Sequence, residues 1–357
     1  MAYGSRRECR LRAAVYRGAG NVQVEEVPDP VIVEPTDAVV RVVRSCICGS
    51  DLWAYRGVIQ RAVPSRLGHE FLGVVESVGP DVRTVAAGDL VVAPFQWSDN
   101  TCPACRDGIQ TSCVNGGTFG APGTDGGQGE AVRVPWADGT VVVVPGGIAG
   151  ATDGLLRSLL ATTDVAATGL HGARLAEVGR GSTVVVIGDG AVGLCAVLGA
   201  KSILGAERII LCSRNPQRRE LGRRFGATDL ISERGDAAVA AVRDLTGGLG
   251  SRHVVEAVGT PEAWEMALGM AREGGTIGAV GVPHTTPQLT LFPLLVHHLR
   301  VHMGVAPVRH YLPDLIDRVM AGSYDAGAVF DLEFPLHQVA EGYRAMSERT
   351  AIKVMLT

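Results

Sequence analysis

Short apolar runs set the rhythm of the chain. From about residue 13 to 145, Val-rich stretches such as DAVVRVV (37–43), FLGVVESV (71–78) and DLVVAP (89–94) are each broken by Gly, Pro or Asp. That spacing predicts short strands and a small, irregular, mostly antiparallel β-domain. Residues 99–130 interrupt it with a cysteine stretch and a glycine-rich loop, GGTFGAPGTDGGQG, which reads as a surface excursion. Near residue 165 the texture changes. STVVVIGDGAVGLCAVLGAKSILGA reads as a buried strand, a glycine turn and a helix. RIILCS follows as a strand, RRELGRRFGA as a helix, and HVVEAVG and GTIGAVGV as further strands. Strands alternating with helices predict βαβ units and a doubly wound parallel sheet. Beyond about residue 302 the pattern is mixed again and ends in AIKVMLT, a last strand. The expected division is a β-rich domain over 1–165, completed by 303–357, and an α/β domain over 166–302. A chain of 357 residues suits two cores rather than one.

Composition narrows the function classes. The 46% hydrophobic and 20% charged content fits a soluble globular protein, and the 47 glycines are nearly twice the average share of roughly 7%. A net charge of −4 gives no reason to expect nucleic acid or an anionic membrane as partner. The N-terminal stretch MAYGSRRECRLRAAVY lacks an apolar core, so it does not read as a signal peptide. No apolar run approaches the ~18 residues of a membrane span. Eight cysteines without an export signal predict reduced thiols in the cytoplasm, with any cluster serving a metal.

Chemistry enters first at VVVIGDGAVGL, where Gly188, Gly190 and Gly193 form G-x-G-x-x-G between a strand and a helix. The first glycine makes the tight turn, the second lets the backbone approach a pyrophosphate, and the third lets helix and strand pack closely. Val192 lies in the same turn, and the helix N-terminus offers free N–H groups to phosphate. A carboxylate about twenty positions on would hold the adenosine ribose of NAD. Ser213 stands there instead, followed by Arg214, Arg218 and Arg219. Ser and Arg suit a 2′-phosphate, so NADP is expected over NAD.

Two further stretches, SCICGSDLW (45–53) and LGHEFLGVVESVGPDV (67–82), complete a recognisable order. The form G-H-E-x2-G-x5-G-x2-V is filled by Gly68, His69, Glu70, Gly73, Gly79 and Val82, with Cys-x-Ser-Asp before it and the cysteine loop and glycine motif after it. In these motifs, over nearly everything from residue 13 onward, the chain resembles the zinc-dependent medium-chain alcohol dehydrogenases. The resemblance implies a GroES-like catalytic domain joined to a Rossmann domain. It also implies a catalytic zinc on Cys48, His69 and Asp164, the last matching a ligand a few residues before a Thr-Gly pair; Asp153 is the fallback. Such a set leaves one tetrahedral position for the substrate oxygen. Glu70 is implied to exchange with substrate or water, Asp51 to orient His69 from outside, and Ser50 to begin the proton relay. The relay histidine is missing, since Trp53 occupies its position. Trp53, Phe95 and Trp97 are candidates for pocket walls, Cys46 for a small buried hydrophobe. His171, His297 and His298 read as ordinary polar groups.

The same resemblance gives SDNTCPACRDGIQTSC (98–113) a meaning. The family's second, structural zinc binds C-x2-C-x2-C-x7-C, and here that register falls on Asp99, Cys102, Cys105 and Cys113. A carboxylate oxygen is an acceptable zinc ligand; Asp107 is the alternative, out of register. The expected activity is therefore a zinc-dependent oxidoreductase acting on CH–OH donors, moving hydride between an alcohol, or an aldehyde or ketone, and NADP(H). Two zinc ions per subunit and a homodimer or homotetramer are implied. A zinc-independent quinone or enone reductase and a non-catalytic NADPH-binding protein are the alternatives.

Overall fold

In the computed structural model, which describes residues 10–283 and 291–357, the chain divides into two compact units. One runs up to Thr163 and takes in Pro307–Ile316 and Phe330–Thr357; the other holds Asp164–Ala306 and Asp317–Val329. The chain crosses more often than a single return at 303 would require, because residues 317–329 cluster with the second unit.

In the first unit, β1 (Arg10–Gly18) and β2 (Asn21–Pro28) form an antiparallel hairpin. The spine of the larger sheet is β3 (Ala38–Cys46), antiparallel to β4 (Phe71–Val78). On the far edge of β4 lies β5 (Leu90–Ala93), while β6 (Ala131–Val134) pairs with the first half of β3. Alternation along these strands sends Ala38, Val40, Phe71, Val75, Val91, Ala93, Val132 and Val134 into one core. Each fully buried Val or Phe side chain contributes about 1.5–3 kcal/mol, so the strand ends are held rigidly. Those ends matter: α1 (Asp51–Tyr55) follows β3 after a four-residue turn, and His69 and Glu70 immediately precede β4. Cys46 donates its N–H to the Glu70 carbonyl at 3.3 Å, tying the two ends together.

The glycine-rich loop is not wholly a surface excursion. Gly126 to Gly129 are buried, and the loop threads the domain: Gly127 and Gln128 donate to the Gly68 and Leu67 carbonyls at 2.8 and 3.0 Å. Glycine permits this because a side chain at Gly127 would collide with the Phe71 ring. Along the chain, α2 (Asp153–Thr162) is the last helix before the first unit's break at Thr163 and α3 (Val165–Leu175) opens the second unit.

The second unit is a parallel sheet of β7 (Thr183–Ile187), β8 (Arg208–Cys212), β9 (Asp229–Ile231), β10 (Ser251–Glu256), β11 (Ala271–Ala279) and β12 (Arg300–Met303). Their spatial order is β9-β8-β7-β10-β11-β12, so the winding reverses between β7 and β10. Open α/β sheets bind ligands at that reversal, beyond the carboxyl ends of the strands. Helix α4 (Ala191–Ser202) leaves the end of β7, α5 (Pro216–Arg224) follows β8, and α6 (Leu291–Val296) precedes β12. The chain then returns to the first unit with β13 (Phe330–Phe334), α7 (Val339–Ser347) and β14 (Lys353–Leu356). β14 pairs with the end of β3, Met355 opposite Cys46. Among the described residues, no helix is long and apolar enough to cross a membrane.

Candidate active site and metal centres

The turn after β3, the residues before β4 and the joint at α3 bring four side chains together. Ligand atoms of Cys48, His69, Glu70 and Asp164 all lie within 4.8 Å of one another. Asp164 is the joint itself, one peptide bond from Thr163 and at the N-cap of α3; its Oδ1 accepts the Thr168 hydroxyl at 2.7 Å. Asp153, by contrast, is exposed and paired with Arg157 and Arg44. Glu70 and Asp164 are buried, Cys48 and His69 half-buried, and the cluster is strongly anionic. Glu70 is completely buried, and its Oε1 accepts from Lys353 Nζ at 2.7 Å while its Oε2 has no hydrogen-bond partner. Thiolate, two carboxylates and one ammonium leave two negative charges, which one divalent cation neutralises. The donor types, one sulfur, one imidazole and carboxylate oxygens, suit Zn²⁺.

Around this set, Asp51 Oδ1 faces His69 Nδ1 at 3.6 Å, and Oδ2 accepts the Cys48 N–H at 3.1 Å. Ser50 is the N-cap of α1; its hydroxyl makes no cap hydrogen bond and it is exposed. Cys46 is buried, and burial above all, then the nearby Glu70 charge, pushes its thiol well up. The aromatic candidates separate. Phe95 meets the His69 ring edge-on at 6.2 Å. Trp97 faces elsewhere: its ring packs against Phe119 at 5.3 Å and lines, with Phe119, a different cavity of about 560 Å³. Trp53 sits on α1 and is half-buried.

The second cluster gathers Asp99, Cys102, Cys105 and Cys113, again within 4.8 Å; Asp107 lies outside it. Burial alone would push the Asp99 carboxyl up, but hydrogen bonds from Thr101, Cys102 and Asn115 outweigh it and hold the group well below the usual carboxylate range. Without a cation the thiols must share protons, and Cys105 is pushed up to about 12 by burial first and then by bonds from Cys102 and Cys113. Four convergent donors whose thiols lose their protons when a cation binds fit a closed structural zinc site.

In the second unit, Gly188 (φ +116°) makes the turn after β7, and Gly190 is the N-cap of α4 with open space where a Cβ would stand. At Gly193 a Cβ would run into the Gly188 carbonyl oxygen, so only glycine lets α4 approach the turn. Val192 is half-buried on the first turn of α4. The ribose end corrects one expectation. An acid does stand beside Ser213, supplied by the glycine turn itself. Asp189 Oδ2 accepts the Ser213 hydroxyl at 2.9 Å, and Arg218 donates to the Asp189 carbonyl at 3.3 Å and to its carboxylate at 3.5 Å. Ser213 and Arg218 are buried, whereas Arg214 is exposed. Reading a fixed distance along the sequence misses Asp189, because its neighbour in space is 24 residues away.

His171 is held neutral, its pKa pushed down to about 4 by burial and then by Arg174. His297 pairs with Glu273 on the surface. The seven described cysteines are all free thiols.

A β-rich unit that carries one complete zinc-type ligand set and three members of another, followed by a sheet wound for a dinucleotide, defines a two-domain nicotinamide-dependent dehydrogenase class. Known sequences agree. A profile described as the alcohol dehydrogenase GroES-like domain matches residues 34–146, and one described as zinc-binding dehydrogenase matches 191–321. A probable zinc-binding alcohol dehydrogenase of Mycobacterium tuberculosis is 37% identical over 345 residues, covering 95% of this chain and 86% of its own. The solved alcohol dehydrogenase TADH from Thermus sp. ATN1 superposes with a TM-score of 0.89 at 34% identity, over 97% of this chain and 99% of the other. A structure from Sinorhizobium meliloti 1021, determined with NADP bound, gives 0.83 at 26% identity, over 98% and 99%. The chain belongs to the zinc-containing medium-chain dehydrogenase/reductase family.

Proposed function

We propose that this chain is a zinc-dependent dehydrogenase that interconverts an alcohol with an aldehyde or ketone, using NADP(H) in preference to NAD(H). The observation that carries the reading is the convergence of Cys48, His69, Glu70 and Asp164, with two negative charges left over. Zinc bound there supplies Lewis acidity toward an alcohol or carbonyl oxygen. The rest falls to the chain's own groups. Asp51 keeps His69 in one tautomer, Phe95 packs against the His69 ring, and the Ser50 hydroxyl takes or returns the substrate's proton. Trp53 stands where a relay histidine would, so the exposed Ser50 hydroxyl is left to pass that proton to solvent. The glycine turn and α4 hold the pyrophosphate. The second zinc, on Asp99, Cys102, Cys105 and Cys113, braces the loop that carries it. Intact ligand sets argue against a metal-free enone reductase and against a non-catalytic binder.

Ser213 and the exposed Arg214 support NADP, as does the NADP bound by the Sinorhizobium relative. NAD is the second reading, favoured by the Asp189 carboxylate beside Ser213. An alcohol panel with NAD⁺ and NADP⁺ side by side tests both. Wild type is expected to prefer NADP⁺. Asp189→Asn, which removes a charge repelling the 2′-phosphate, is expected to raise kcat/KM for NADP⁺ about tenfold, the scale of one charge-assisted hydrogen bond. A wild type that strongly prefers NAD⁺ and loses that preference in Asp189→Asn establishes the second reading instead.

Association with a second copy, in a cytoplasmic setting where thiols stay reduced, completes the proposal. Among the described residues β12 pairs only with β11, Met303 and Val305 at its end are exposed apolar groups, and so are Leu291, Phe292 and Leu295 of the preceding α6. An unpaired apolar edge invites a second strand. Sedimentation should give twice or four times the 37.3 kDa chain mass.

A further inference from the structure

Behind the cluster at Cys48 and His69 lies a buried polar chain that begins in the glycine-rich loop and in α7. Tyr343 and Gln128 are both completely buried. The Tyr343 hydroxyl donates to Gln128 Oε1 at 2.9 Å, and Gln128 Nε2 donates to the Cys46 carbonyl at 3.0 Å and to Asp51 Oδ2 at 3.2 Å. Asp51 Oδ2 also receives the Cys48 N–H, which leaves Oδ1 to face His69. We propose that Gln128 and Tyr343 form a brace that sets the Asp51 carboxylate and the Cys46–Cys48 segment in the geometry the metal ligands need, making both positioning residues of the catalytic centre.

Three observations support it. The amide has one acceptable orientation: turned over, its oxygen would oppose both the Cys46 carbonyl and the Asp51 carboxylate. The parts are fixed from behind, since the Tyr343 ring packs on Tyr55 of α1 with centroids 5.3 Å apart and Gln128 is pinned by its backbone bonds to Leu67 and Ala14. Finally, the amide touches both ligand arms at once, Cys46 leading to Cys48 and Asp51 leading to His69. A glutamine that merely satisfied the core would have no reason to converge on both. Gly68 makes room for it, because a Cβ there would strike the Gln128 backbone nitrogen.

The inference rests on the zinc-dependent reading, and its test separates the two. Tyr343→Phe keeps the ring and deletes the hydroxyl; Gln128→Met keeps the length and deletes the amide. Zinc affinity is read by chelator competition, and the Co²⁺-substituted proteins report ligand geometry through their visible bands. Partners that touch a ligand histidine are worth about 10–100-fold in metal affinity, so one bond further out the expected loss is roughly 3- to 10-fold, with shifted Co²⁺ bands. Combined with Asp51→Asn, the Gln128→Met loss should largely vanish, because the two act in series. Unchanged metal affinity and Co²⁺ spectra in both variants, whatever their melting temperatures, would overturn the brace. A wild type that takes up no metal at Cys48 and His69 would instead overturn the zinc reading, and the brace with it.

Discussion

Cys48→Ala is expected to abolish alcohol-dependent reduction of the nicotinamide, to lower zinc from two ions per chain to one, and to leave dinucleotide binding intact. Cys48 is the only sulfur in its ligand set. Its loss removes the strongest donor and one of the charges that a divalent cation balances. Cys46, two residues away, does not substitute, because it is buried at the end of β3 and its thiol is held protonated by burial. The glycine turn proposed to carry the dinucleotide belongs to the other unit, so binding should survive. Metal analysis and the fluorescence of bound NADPH check the three outcomes together. Surviving turnover with one zinc lost would remove Cys48 from the mechanism.

The second large effect is on stability. Lys353 and Glu70 form an ion pair in which both side chains are almost completely hidden from solvent. Deleting one member leaves the other charge buried, which costs about 3–5 kcal/mol, whereas removing both charges together is often nearly neutral. Lys353→Met should therefore lower the free energy of unfolding by that amount in denaturant titration of the zinc-free protein. Adding Glu70→Gln should restore most of it. A loss below about 1 kcal/mol in Lys353→Met would mean that solvent or a shifted proton already relieves the pair.

These residues also mark where reading the sequence stopped. The β-rich and βαβ halves were visible because apolar runs of strand length alternate with turn residues in one half and with helices in the other. The ligand sets were visible because they sit in short motifs, Cys-x-Ser-Asp, Gly-His-Glu and the cysteine loop. Lys353 was not, although a lone lysine inside AIKVMLT was a signal: its partner lies 283 residues away. Gln128 and Tyr343 are 215 residues apart and meet only because the glycine loop dives into the domain. Helix α3 leaves no periodic signal, because it is apolar on nearly every face and has no polar stripe to betray its period. Asp189 lies inside the glycine motif itself, 24 residues from the serine it meets.

The central claim is that the cluster at Cys48, His69 and Asp164 works through bound zinc. Its most direct test is to strip the metal with a chelator, assay alcohol oxidation with NADP⁺ and NAD⁺, and then restore zinc. Activity is expected to fall to background with the metal and to return with about two zinc ions per chain. Full activity in a preparation shown to be zinc-free would contradict it.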